Sequence, residues 1–110
     1  MAEKEDLFEF FQLQAQLCKS MADAKRLLII HELRSGPKSV SELAEILGLK
    51  QSNTSQHLAI LRKAGVIVPR RESTTVYYRL ANPKIGEACD LVREVIRDNV
   101  RRSQSLTAMR

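Results

Sequence analysis

A mainly α-helical domain with a β-hairpin wing, about five helices and two strands, is the fold class this sequence predicts. Three observations predict it. Apolar residues recur at the three- and four-residue spacing of amphipathic helices through most of the chain. Gly48 divides two such segments by a very short connection, a helix-turn-helix arrangement. Residues 66–80 abandon the helical period, because VIVPRR and TTVYYRL carry the β-branched and aromatic residues of paired strands.

The elements follow in order. A first helix is expected from Glu5 to about Lys19, with Leu7, Phe10, Gln14, Leu17 and Cys18 on one face. All three phenylalanines lie here, at positions 8, 10 and 11. So much apolar bulk on a terminal helix suggests that a second subunit clamps it. A second helix, Asp23 to Leu33, buries Leu27, Leu28, Ile30 and Leu33 and stops at Gly36-Pro37. The third starts at Ser41 as N-cap, runs through Glu42, Leu43, Ile46 and Leu47, and ends at Gly48; Ala44 lets another helix approach closely. The fourth spans about Gln51 to Lys63 and closes at Ala64-Gly65. Two strands follow, with Glu72-Ser73-Thr74 as the hairpin tip, and one of Tyr77 and Tyr78 facing inward. Asn82 and Pro83 open the last helix as N-cap and first helical residue. Its stripe is Ile85, Cys89, Val92, Ile96 and Val100, and residues 101–110 read as a loose polar tail.

With 110 residues and 44% hydrophobic content the chain is one domain, 1–110, with a modest core. A domain this small gains from removing further apolar surface by dimerisation. No run approaches the ~18 apolar residues that cross a bilayer. The start MAEKEDLFEF lacks the apolar region of a secretory signal. Two cysteines, Cys18 and Cys89, are too few for a disulfide framework and neither sits in a CxxC. A cytoplasmic protein is expected.

Charge points to the partner. Residues 50–79 hold six basic side chains, Lys50, Arg62, Lys63, Arg70, Arg71 and Arg79, against Glu72 alone, a net of +5. The rest of the chain carries twelve basic and twelve acidic residues, so all the excess sits in this stretch. That pattern presents a cationic surface to a phosphate backbone. On a helical wheel of the fourth helix, Thr54, Leu58 and Leu61 face inward, and Ser52, Gln56, Ala59 and Lys63 face out. Ser55 and Arg62 lie on one flank and Asn53 on the other. Gln and Asn can form paired hydrogen bonds with adenine, hydroxyls suit base or phosphate, and Ala suits a thymine methyl. The arginines and Thr75 of the hairpin can follow the backbone or enter a minor groove. No Gly-rich phosphate loop, carboxylate pair beside a His, or metal quartet marks an enzyme. A winged-helix module for protein assembly is the alternative, although its interface helix would carry apolar anchors.

Three blocks, LCKSMADAKRLLIIHEL, SVSELAEILGLKQSNTSQHLAILRKAGVI and RRESTTVYYRL, followed by a closing helix, resemble the ArsR/SmtB family of winged helix-turn-helix repressors. The resemblance runs from about Leu13 to Ile96. It implies a homodimer paired through the first and last helices (1–20 and 83–100), a helix-turn-helix at 41–63 and a wing at 66–80. It implies a repressor of a palindromic double-stranded operator. The family's DNA contacts map onto Gln51, Ser52, Ser55, Gln56 and His57, with wing contacts near Arg71 and Thr75. On the wheel His57 borders the buried face and suits either contact or packing.

The signal sensed is less legible. The family's metal site on the third helix needs cysteines, and SVSELAE has none. Its zinc site on the last helix needs histidines, and PKIGEACDLVREVIRD has none. The thiol-sensing branch's second-helix cysteine falls near His31. No resident cofactor or metal is expected. Cys18 and Cys89 remain, either as small buried apolar side chains or as a redox, reactive-sulfur or soft-metal switch. Asp90 and Glu94 flank Cys89 as metal helpers or as a solvated face.

Overall fold

The computed structural model describes residues 2–108, with side chains from Glu5 to Gln104. Five helices and three strands follow in the order α1 (Ala2–Met21), α2 (Ala24–Leu33), β1 (Lys38–Ser39), α3 (Val40–Leu47), α4 (Gln51–Lys63), β2 (Ile67–Glu72), β3 (Thr75–Leu80) and α5 (Lys84–Ala108). The fold is a winged helix-turn-helix. Its core joins Ile29, Ile30 and Leu33 of α2, Leu43 of α3, Leu58 and Leu61 of α4, and Val66 and Ile67 leading into β2.

Local chemistry sets most boundaries. Asp23 caps α2, accepting the backbone N–H groups of Lys25 at 2.8 Å and Arg26 at 3.2 Å. The Arg26 amide bond holds the Asp23 carboxyl below its ordinary value. Gly48 ends α3 in the left-handed region at φ 66°, where a Cβ would be strained. Asn82 Oδ1 accepts the Lys84 amide at 2.9 Å and opens α5.

The cap of α3 is Ser39, two residues before the expected Ser41. The reason is the residue three positions on. Ser39 meets Glu42 and closes a reciprocal capping box, whereas Ser41 meets Ala44. Ser39 also pairs with Tyr77, and Lys38 with Tyr78, so the hairpin gains a third strand in the order β1-β3-β2. Two residues are too short a strand for a periodic signal, so β1 was not expected. It ties the wing to the start of the helix-turn-helix.

Four further differences from the sequence reading have physical causes. Residues 27–30 are all apolar, so periodicity could not phase α2; Ile29 and Ile30 are buried, and Leu27 and Leu28 are 42% and 39% exposed. Glu72 belongs to β2 and pairs with Thr75, leaving a two-residue tip in which Ser73 takes φ 58°, as tight hairpins demand. Tyr78 packs against the core while Tyr77 is also half-buried, because Pro37 and the wing arginines flank it. The segment from Arg101, expected as a loose tail, continues α5 to Ala108, since neither Gly nor Pro interrupts the chain after Gly86. Residues 109 and 110 lie outside the described residues.

The two long helices leave the body. Leu17 and Met21 of α1, and Ile85 and Cys89 of α5, pack against the core. Beyond them Leu7, Phe8, Phe10, Phe11 and Leu13 of α1 are exposed, as are Leu91, Val92, Val95, Ile96 and Val100 of α5. The expected stripes therefore dock only at their roots. The radius of gyration is 17.5 Å, against about 13 Å for a compact chain of this length. Among the described residues no helix is long and apolar enough to cross a membrane.

Candidate nucleic-acid interface

The fourth helix presents its two faces as the wheel places them. Thr54, Leu58 and Leu61 are no more than 1% exposed. Thr54 Oγ1 donates to the Lys50 carbonyl at 3.1 Å, which satisfies the one polar group on that side. On the other side Ser52, Asn53, Ser55, Gln56, Ala59, Arg62 and Lys63 are exposed. Among the described residues, no side-chain hydrogen bond or ion pair restrains Ser52, Asn53, Ser55 or Gln56. Lys50 occupies the N-cap without a side-chain capping bond, so the first amides of α4 stay open to an anion.

Two residues assigned to base reading are already engaged. Gln51 Nε2 donates to Ser41 Oγ at 3.0 Å and staples the start of α4 to α3. His57 is half-buried, with its Nδ1 3.2 Å from Arg26 Nη1. A guanidinium has only donors, so Nδ1 accepts in this contact. Arg26 Nε also donates to the Ser20 carbonyl at 2.6 Å. His57 thus joins α4 through α2 to the end of α1. Arg26, which sequence reading did not single out, is the residue that makes this joint. A lone arginine beside an apolar run gives no signal of a partner 31 positions away.

The wing supplies the cations. Arg71 and Thr75 are exposed near the tip, and Arg71 makes no side-chain bond among the described residues. Arg70 pairs with Glu72, and both are well exposed. Arg79 Nη1 donates to the Leu80 carbonyl at 3.2 Å. Arg70, Glu72, Tyr77 and Arg79 line a cleft of about 330 Å³ with Pro37. The basic residues of the stretch 50–79 therefore fall in three places: Lys50 at the N-cap of α4, Arg62 and Lys63 in its last turn, and Arg70, Arg71 and Arg79 in the hairpin.

Residues 23–68 match the family described as bacterial regulatory protein, arsR family. An uncharacterized HTH-type transcriptional regulator of Mycobacterium tuberculosis is 37% identical over 87 residues, covering 78% of this chain and 76% of that protein. The chain belongs to the arsR family of bacterial regulatory proteins. The crystal structure of that M. tuberculosis protein superposes with a TM-score of 0.78 at 34% identity, over 86% of this chain and 95% of that one. A winged helix-turn-helix DNA-binding domain of Mycobacterium bovis, described as homodimeric, also gives 0.78 at 28% identity, over 86% and 87%. The transcriptional repressor BigR of Xylella fastidiosa gives 0.71 at 29% identity, over 84% and 94%. As a member of the arsR family the chain is a transcriptional regulator, not an enzyme.

The two cysteines singled out as sensors differ in exposure. Cys18 is exposed on α1, and Cys89 is half-buried on α5 against the core. Burial raises the Cys89 thiol above its ordinary value. His31 is exposed on α2. Asp90 pairs with Arg34 at 2.6 Å. Among the described residues no group of three or more His, Cys, Asp or Glu side chains is disposed to hold a metal ion.

Proposed function

We propose that this arsR-family chain is a homodimeric repressor of a palindromic operator, acting in the cytoplasm and released by a chemical signal. One observation carries the reading. Above the buried row of Thr54, Leu58 and Leu61, the outer face of α4 holds Ser52, Asn53, Ser55 and Gln56 exposed and unrestrained. Such a face offers donors and acceptors to base edges in a major groove at no cost in broken protein contacts. Lys50, Arg62, Lys63, Arg70, Arg71 and Arg79 position the protein on phosphate. Two copies are supported by the apolar lengths of α1 and α5 left in solvent and by the M. bovis relative described as homodimeric. A twofold axis then sets the two α4 helices on half-sites about 34–36 Å apart.

Selection from random DNA tests this, followed by binding across a salt series. The expected result is a palindromic sequence whose log affinity falls linearly with log salt. No selected sequence and no salt slope would favour a protein-assembly module instead. Arg71→Ala is expected to weaken every DNA sequence about equally and to reduce the salt slope by about 1. An unchanged slope removes Arg71 from the phosphate contacts.

For the signal, the chain offers two thiols of unequal exposure. Cys18 is open to solvent, and Cys89 is shielded by burial. In a thiol-dependent release, Cys18→Ser and Cys89→Ser variants hold the operator as tightly as wild type and no longer let go under oxidant or sulfane sulfur. Release that persists in both variants takes the thiols out of the mechanism.

A further inference from the structure

The joint between the DNA-reading body and α5 is built around one arginine. Arg34 caps the C-terminal end of α2, and its side chain crosses α5 at Gly86. Gly86 is buried beneath it. A Cβ at that position would lie 2.5 Å from Arg34 Nε and 2.8 Å from its Cδ, so the arginine and any side chain at 86 exclude each other. One turn further along α5, Asp90 Oδ2 accepts from Arg34 Nη1 at 2.6 Å, and Arg93 Nη1 stands 3.8 Å from Oδ1. Gly86 and Asp90 are four residues apart and share one face of the helix. A glycine makes the channel and an aspartate anchors the end.

The position of this clamp matters more than the energy of an ion pair that is a third exposed. Behind it, Ile29, Ile30 and Leu33 fix α2 in the core with α3 and α4. Ahead of it lie Leu91, Val92, Val95, Ile96 and Val100, the exposed apolar length of α5. At ~1.5 Å per residue the 25 residues of α5 make a lever of roughly 37 Å. A tilt of about 5° at its root moves its far end by about 3 Å, close to the ~3.4 Å rise of a base pair.

We propose that the Arg34–Gly86–Asp90 clamp sets the angle of α5 to the reading body and thereby selects the half-site spacing of the operator. This rests on the dimeric-repressor reading above. Arg34, Gly86 and Asp90 are positioning residues: none belongs to the surface assigned to DNA. Clamped, the dimer holds its two α4 helices at one separation. Unclamped, α5 pivots on Ile85 and Cys89, and several separations become accessible.

Two substitutions break the clamp in different ways. Gly86→Ala displaces the Arg34 side chain while replacing a helical glycine by a better helix former. Asp90→Asn removes the charge without changing shape. Both variants and wild type are titrated against the selected operator, versions with the half-sites one base pair closer or further apart, and a single half-site. Thermal unfolding is followed in parallel. Wild type is expected to prefer one spacing by about tenfold, within the usual range of site coupling. Both variants are expected to flatten that preference to about threefold or less. Their single half-site affinity should be unchanged, and Gly86→Ala should melt no lower than wild type. Variants that keep the wild-type preference overturn the clamp and leave the repressor reading standing. Wild type that binds all spacings equally overturns the two together.

Discussion

Gln56→Ala is expected to cost roughly 1–3 kcal/mol at the operator, and to relax discrimination at the base pair it faces. Gln56 is exposed at the middle of the outward face of α4, with no partner among the described residues to release on binding. Its amide is free to form a paired contact with an adenine edge. Removing it should leave folding almost untouched, since surface substitutions away from packed or capped sites change stability by under about 0.5 kcal/mol. Affinity for the selected operator should fall about fivefold to 150-fold at fixed salt, while affinity for unrelated DNA stays level. Fluorescence titration of both DNAs, with the melting curve alongside, measures the separation. Equal loss on the two DNAs would make Gln56 a phosphate contact, and wild-type binding would remove it from the interface.

Leu61→Ala is expected to have the largest effect on stability, roughly 2–5 kcal/mol. Leu61 is fully buried on the inner face of α4 and shares the core with Ile29, Leu33, Leu43 and Ile67. The lost methyl groups leave a cavity that α2, α3 and the sheet cannot all close on at once. A loss of that size is a large part of the 5–15 kcal/mol that holds a small domain together. The neighbouring Ile60 is 44% exposed, and Ile60→Ala should cost under about 1 kcal/mol. Urea unfolding at one fixed protein concentration compares the two, because assembly makes apparent stability concentration-dependent. Similar costs at 60 and 61 would mean that α4 is rotated from the phase described.

The two predictions draw on opposite faces of one helix, and both faces were legible in the sequence. In α4 polar and apolar residues alternate at helical spacing with a single solution, so Thr54, Leu58 and Leu61 could be placed inward. The second helix shows the converse. LLII fills most of a wheel, and only packing against α3 and α4 decided that Ile29 goes in while Leu27 and Leu28 stay half in solvent. Ser39 and Ser41 were separated by a rule that the sequence does contain, the glutamate three residues on. The capping box is a local pattern, Ser39 with Glu42, and so is legible in the sequence.

Side-chain partners distant in sequence were not legible at all. Gln51 and His57 carry the residue types of DNA contacts, yet one is bonded to Ser41 and the other to Arg26. The same holds for Arg34 and Asp90, 56 positions apart. Residue types, their spacing and the excess charge of residues 50–79 are properties of the chain as written. They determined a winged helix-turn-helix with a cationic reading segment, because helical period, glycine stops and strand composition act over a few residues. Tertiary structure alone decided which polar groups remain free for a partner and which tie the elements together. A hydrogen bond depends on where two atoms meet in space, and local pattern does not encode that meeting.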